Sequence, residues 1–388
     1  MSTRILVLAF ACLLALPSVA SAGAKIQVSD ETFLNIDYLL QAQGQFIEKA
    51  APDKKSWGKD FFLRRSRIIL SGDLLKNVSF FMETEQANFG KGGDWDKPFF
   101  VQDAFMTFKI VDEFMIDAGM IIVPFTRHGF QGAVGLNGLD YHSSLIKYPD
   151  GSHKVWRDTG LQFRGYIMDK KLSYRVGVFS GSRGAALQKD SAGTVVAASN
   201  PKAWPRATAQ VRYNVFGTET DFFGKGIYFA ADPILSFGVS VDFQQDAALS
   251  KAATFDTDGK TVKTAAEKHA YLAIGGDAFL DWPIGTDMEV VFQGTFVKYD
   301  YGPKVANTGM GVFGEAGFRW KFLEPVVGFD WFKSDGAAAD QQTLHAGING
   351  WIKGHNANVK ADFTMDKKGD LGKAPWIKGV TIQSQIYF

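Results

Sequence analysis

Apolar and polar residues alternate along most of the chain. In FLNIDYLLQAQGQF, residues 33–46, Leu34, Ile36, Tyr38, Leu40, Ala42 and Phe46 fall on one side, and Asn35, Asp37, Gln41, Gln43 and Gln45 on the other. A period of two belongs to an extended strand with one apolar face. A tilted strand crosses a bilayer in roughly 9–11 residues, and this run exceeds that. Strands of soluble sandwiches are usually about 5–6 residues. Strong runs recur at 78–85, 114–123, 159–168, 172–179, 207–215 and 234–243, with further ones at 287–297, 310–322, 343–352 and 357–365. Weaker alternation marks 61–70, 99–109, 269–280 and 325–333. The end of the sequence, VTIQSQIYF at 380–388, repeats the habit, with Val380, Ile382, Ile386 and Phe388 set against Thr381, Gln383 and Gln385. The pattern predicts about 16 strands.

Connections between these runs alternate in length. Long polar links fall near 47–60, 86–98, 124–157, 181–205, 244–267, 299–309, 334–342 and 366–376; short ones fall near 71–77, 110–113, 169–171, 281–286, 323–325 and 353–358. The link at 217–232 is an exception, longer than a short turn should be. Long outer loops, short inner turns and an even strand count describe an all-β fold, the transmembrane antiparallel barrel of bacterial outer membranes. At about 16 strands its interior is a water-filled pore. Closure also removes the edges that an open sheet of this size would expose. One or two soluble β-sandwiches are the alternative, but strands this long with loops this asymmetric are unusual there. Phe61, Phe62, Phe99, Phe100, Trp282, Trp320, Trp331, Trp376, Tyr387 and Phe388 lie at predicted strand ends, where interfacial girdles sit.

Composition agrees with this picture. Of 388 residues, 46% are hydrophobic and 21% charged, and the 41 glycines and 34 phenylalanines suit a β-rich chain. Residues 1–22 read as a signal peptide: Arg4, an apolar stretch and Ala20-Ser21-Ala22 before Gly23. The barrel is then expected over 23–388. The single cysteine, Cys12, falls inside the apolar stretch, so disulfides, attached haem and cysteine-ligated zinc are excluded from the mature chain. Net charge is +1, or 0 without Arg4, which suggests neither nucleic-acid binding nor a polybasic membrane anchor. No later apolar run approaches the roughly 18 residues of a membrane helix.

Several short segments carry a family resemblance. FLRRSRIILSGDL at 62–74, FVQDAFMTFK at 100–109, AGMIIVPFTRHG at 118–129 and AGINGWIKGHNANVKADFT at 346–364, with terminal Phe388, together resemble the phosphate-selective porin O and P family. The resemblance implies a 16-strand homotrimeric porin whose third outer loop folds into the lumen, with basic residues there and along the wall drawing anions inward. Phe388 also resembles the terminal signal by which outer-membrane proteins are recognised for assembly.

On this reading 124–157 is the third outer loop. Its candidate constriction residues are Arg127, His128, His142, Lys147, His153, Lys154 and Arg157, against only Asp140 and Asp150. A basic constriction raises the local concentration of anions and lowers their barrier. Otherwise the loop is external and its charges are solvated. Alternation places Arg65, Arg67, Arg164, Arg175, Arg212, Arg319 and Lys360 on the lumen wall. The same faces carry Glu83, Glu85, Asp103, Asp117, Asp242, Asp277, Glu289, Glu315, Asp330 and Asp362, so the wall screens itself. A weak anion preference is therefore expected rather than strict phosphate specificity. The lysine-rich outer mouth of the phosphate-specific members has no obvious counterpart; Lys54, Lys55, Lys59, Lys91 and Lys97 are candidates, but surface lysines are ordinary.

The expected activity is passive diffusion of small hydrophilic solutes through the outer membrane of a Gram-negative bacterium. No reaction, cofactor, metal or nucleic-acid partner is expected. Rival readings are a non-selective or cation-preferring porin, a barrel sheath around a periplasmic multihaem cytochrome, and an outer-membrane lipid hydrolase using the His142-Ser143-Ser144 stretch. The Asp256-Thr257-Asp258-Gly259 stretch resembles the start of a calcium loop but lacks the later ligands and reads as a turn.

Overall fold

The computed structural model describes residues 23–149, 151–152, 154–184, 187–336 and 338–388. The expected signal peptide, Asp150 and His153 lie outside the described residues. The chain forms a closed barrel of 16 antiparallel strands. They are β1 (Phe33–Ile47), β2 (Gly58–Leu75), β3 (Val78–Glu85), β4 (Phe100–Val111), β5 (Phe114–Ile122), β6 (Arg157–Ile167), β7 (Leu172–Phe179) and β8 (Arg206–Phe216). Then follow β9 (Ile234–Lys251), β10 (Glu267–Ile284), β11 (Met288–Asp300), β12 (Gly309–Trp320), β13 (Leu323–Ser334), β14 (Asp340–Lys353), β15 (Ala357–Gly369) and β16 (Ile377–Tyr387). Each strand pairs with its neighbours in sequence. The ring closes between β16 and β1, from Leu39↔Tyr387 to Ile47↔Gly379. In hydrocarbon each unpaired backbone group costs several kcal/mol, so only a closed ladder is stable there.

Side chains divide by parity. On β16, Ile382 is 47% and Ile386 44% exposed, whereas Gln383 and Gln385 are 1% and 2% exposed. This inverts a soluble protein: the exposed apolar row faces lipid, and the buried polar row faces the interior. On β9, Phe237, Val239, Val241 and Phe243 form the lipid row, while Ser236, Ser240, Asp242 and Gln244 point inward.

Alternation located the wall strands but not all of their ends. Residues 244–251, expected in a loop, continue β9 and pair with β10 through Ala248↔His269 and Lys251↔Glu267. That stretch rises beyond the lipid, so nothing imposes a period of two on it. A short strand, Ala24–Gln27, pairs with the start of β1. The Asp258 stretch is the turn of a small hairpin, Thr254–Phe255 with Val262–Thr264; its carboxylate accepts from Thr261 and Lys260 rather than forming a calcium loop.

One irregularity in β2 matters for the interior. Gln41 pairs with Arg65, but the next partner pair is Ala42↔Leu63. Arg64 is thus the extra residue of a β-bulge, and inward parity switches from odd to even across it. Arg64 and Arg65 both turn inward. Phe62, expected in the girdle, is also internal at 5% exposure, while Phe61 faces outward.

Candidate functional site

Arginines line the inside of the wall, and most of them meet carboxylates one or two strands away or on the segment that crosses the interior. Arg67 donates to Glu83 at 2.7 Å and Glu85 at 2.7 Å. Arg164 donates to Asp117 at 2.8 Å, Arg319 to Glu289 at 2.6 Å, and Arg206 and Arg212 to Asp242 and Asp277. Arg175 has no such partner among the described residues; it donates to the Phe222 carbonyl at 2.9 Å and lies 4.0 Å from the Phe130 ring. The interior is strongly polar, but its charges largely cancel in pairs.

The segment between β5 and β6, residues 123–156, crosses the interior to the opposite wall. Its tip is tied at successive levels. The Arg127 backbone N–H donates to Asp277 at 2.9 Å, and Gln131 to Gln293 at 2.8 Å. Lys360 gives its ammonium protons to the carbonyls of Leu136, Asn137 and Gly138 at 2.6, 3.1 and 2.8 Å. Gln385 donates to the Val134 carbonyl at 3.1 Å. Arg64 and Arg65 grip Asp140 at 2.6 and 2.7 Å. Burial opposes the Asp140 charge, but these two guanidiniums outweigh it and hold the carboxyl well below its usual range. Lys360, expected to face passing ions, is spent on this segment.

Most cations expected on the segment are also occupied. Arg127 is buried and pairs with Glu219 at 2.5 Å, its guanidinium 3.4 Å from the Phe279 ring centroid. His128 accepts from the His142 backbone N–H at 3.0 Å, and burial pushes its pKa down to about 3, so it stays neutral. His142 is buried against Asp330 and Glu315; burial disfavours its charge, but those hydrogen bonds overcome it and raise its pKa. Arg157 is the first residue of β6 rather than part of the loop, and it meets Asp103 at 2.9 Å. Lys147 lies 4.9 Å from the Phe332 ring, and Lys154 is exposed at the rim, 3.9 Å from the Phe100 ring.

Sequence reasoning flagged the length of 217–232 but gave it no role. In the fold this connection turns upward from the inner rim and meets the crossing segment. Gly226 N donates to the Gly135 carbonyl at 2.6 Å, and Gly132 N to the Gly224 carbonyl at 3.2 Å. A Cβ on Gly226 would lie 2.3 Å from the Asn137 nitrogen, so only glycine permits this approach. Phe222 stacks on Phe105 at 4.6 Å, and Phe223 lies 5.3 Å from Phe81. Glu219 joins Arg127 to Ser236; burial would raise its pKa, but Arg127 and Arg212 hold it at about 2. The signal available in sequence was Phe222-Phe223 in a connection too long for its place.

These two connections divide the interior. An outer cavity of ≈ 400 Å³ lies above them, lined by Arg64, Asp140, His142, Asp330, His345 and Asp362 among others. An inner cavity of ≈ 680 Å³ lies below, with Phe81, Phe105, Phe222 and Phe223 beside Arg67, Arg157 and Arg164. Between them a narrow cavity of ≈ 180 Å³ is bounded by Arg64, Arg65, Arg67, Arg157, Glu85, Asp140 and Tyr141. It shares Arg64, Asp140 and Tyr141 with the outer cavity, and Arg67 and Arg157 with the inner one.

Comparison with known proteins agrees with the geometry. Residues 39–272 match the family described as phosphate-selective porin O and P. No curated protein matches the chain. Among solved structures, OprB of Pseudomonas putida has a TM-score of 0.61 at 10% identity, covering 95% of this chain and 99% of its own. An anion-selective porin from Comamonas acidovorans has a TM-score of 0.52 at 12% identity, covering 92% and 100%. OmpT of Vibrio cholerae in its trimer form has a TM-score of 0.51 at 12% identity, covering 92% and 100%. At such identities these neighbours speak for the fold alone.

Proposed function

The chain belongs to the phosphate-selective porin O and P family, and from that premise we propose that its pore passes small hydrophilic solutes with a weak preference for anions such as phosphate. The protein is an outer-membrane channel of a Gram-negative bacterium. Solutes follow their gradient, and the residues between the two larger cavities set size and charge preference. The supporting observation is the narrow cavity, where Arg64, Arg65, Arg67 and Arg157 converge. Their partners Asp140, Glu83, Glu85 and Asp103 compensate them, which makes the preference weak. The crossing segment 123–156 is the constriction. A homotrimer accords with the family and with the trimer form of the Vibrio cholerae neighbour.

A cation preference is the second reading, favoured by Glu315, Asp330, Asp362 and Asp366 around the outer cavity. Reversal potential across a planar bilayer in a KCl gradient separates the two. Anion preference is expected for the native protein, with a shift toward cations in Arg64→Ala/Arg65→Ala. An unchanged reversal potential in that variant overturns the assignment. The rival roles fit the interior poorly. A folded cytochrome cannot enter cavities of ≈ 400 and 680 Å³. His142 faces Asp330 inside the barrel, away from lipid, which leaves a lipid hydrolase without substrate access.

A further inference from the structure

Three side chains from three different parts of the chain meet at the wall of the outer cavity. His142 comes from the crossing segment, Asp330 from β13 and His345 from β14. His142 Nδ1 lies 2.9 Å from Asp330 Oδ2, and His345 Nε2 lies 3.8 Å from the same oxygen. One donor atom from each falls within 4.8 Å of the other two. Both imidazoles also face a second carboxylate through the remaining ring nitrogen. His142 Nε2 is 3.4 Å from Glu315 Oε2, and His345 Nδ1 is 3.0 Å from Asp362 Oδ2. Carboxylates in that position orient metal-ligating imidazoles and fix their tautomer.

A plain hydrogen-bond chain does not satisfy this cluster. Asp330 is 4% exposed, yet among the described residues its Oδ1 has no hydrogen-bond partner, and neither has His345 Nε2. Buried polar atoms are normally paired, so these two mark a place for something further. We propose that His142, Asp330 and His345 bind a divalent transition-metal ion such as Zn²⁺, fastening the crossing segment to the wall. Two imidazoles and one carboxylate suit zinc, whereas Mg²⁺ and Ca²⁺ take oxygen ligands. Bonds of about 2.0–2.1 Å place tetrahedral donors roughly 3.3 Å apart. The 2.9 and 3.8 Å separations reach that by small side-chain rotations. The fourth position opens toward the cavity and takes water.

The test uses the full-length barrel in detergent, without an oligohistidine tag and stripped with chelator, titrated calorimetrically with ZnCl₂ near neutral pH. One Zn²⁺ per chain is expected. Asp330→Asn and His345→Ala weaken binding by more than tenfold, and Asp362→Asn, which keeps all three ligands, weakens it by about tenfold. Heat-modifiable gel mobility verifies that each variant is folded; should His345→Ala not fold, His345→Gln and Asp362→Asn carry the comparison. Absence of zinc binding, equal binding by native protein and folded ligand variants, or equal binding of Mg²⁺ at the same site overturns the proposal. Because the readout is binding in detergent, it stands or falls separately from conduction and its ion preference.

Discussion

Two connections enter this barrel from opposite rims, and they are held by different physics. The outer one, 123–156, is fastened mainly by charge and hydrogen bonds: Arg64 and Arg65 on Asp140, Lys360 on three carbonyls, Gln131 on Gln293. The inner one, 217–233, is held largely by stacked rings and backbone bonds, with Phe222 on Phe105 and Gly226 on Gly135. Directional ties fix position but demand a partner for every group. Ring stacking tolerates small shifts. The outer connection is thus suited to place charges, and the inner one to fill space beneath it.

Their main ionic joint is Arg127 with Glu219, and breaking it should have the largest effect. Glu219→Ala leaves a buried guanidinium without its carboxylate, which costs about 3–5 kcal/mol. The expected result is a lower temperature for heat-modified gel mobility and larger, noisier single-channel currents. The joint also has a pH signature. Glu219 is held at about 2, below its ordinary 4.5. Its stabilisation is therefore complete above about pH 4.5 and is lost as pH falls through about 2. At pH 5 the melting difference between native protein and Glu219→Gln should match that at pH 7, and it should vanish below pH 2.

Phe222→Ala tests the stacked side of the comparison. Removing the ring costs about 2 kcal/mol and enlarges the inner cavity, so conductance should rise while reversal potential stays fixed. Gly226→Ala drives a methyl into the Asn137 backbone and costs about 1–3 kcal/mol. It should part the two connections and raise conductance with every charge retained. The smallest effect is expected for Lys154→Ala. That ammonium is exposed at the rim, where salt screens it beyond about 8–10 Å, and reversal potential should move by no more than about 1 mV.

The wall was legible because lipid and water impose opposite demands on alternate residues. Runs predicted at 78–85 and 172–179 coincide with β3 and β7. Legibility failed where that demand lapses: beyond the lipid at 244–251, and at the Arg64 bulge. Inside, the arginines could be named, but their partners could not. Arg127 and Glu219 are 92 positions apart, and Lys360 reaches a carbonyl 224 positions away. Charge along the sequence showed which groups enter the lumen, not which neutralise one another. The role of 217–232 was hidden for a related reason. Its phenylalanines face other rings rather than lipid, so they follow no period.

Arg64 has a consequence for engineering this barrel. It acts as a one-residue frameshift within β2, so the strand carries two incompatible frames joined at a single point. Deleting it would merge them into one regular alternation, with Arg65, Phe62 and Asp60 still inward and Phe61 and Lys59 still toward the bilayer, at the cost of one of the two groups that grip Asp140. A graft spanning the joint must carry the slip with it, whereas one confined to either side need not.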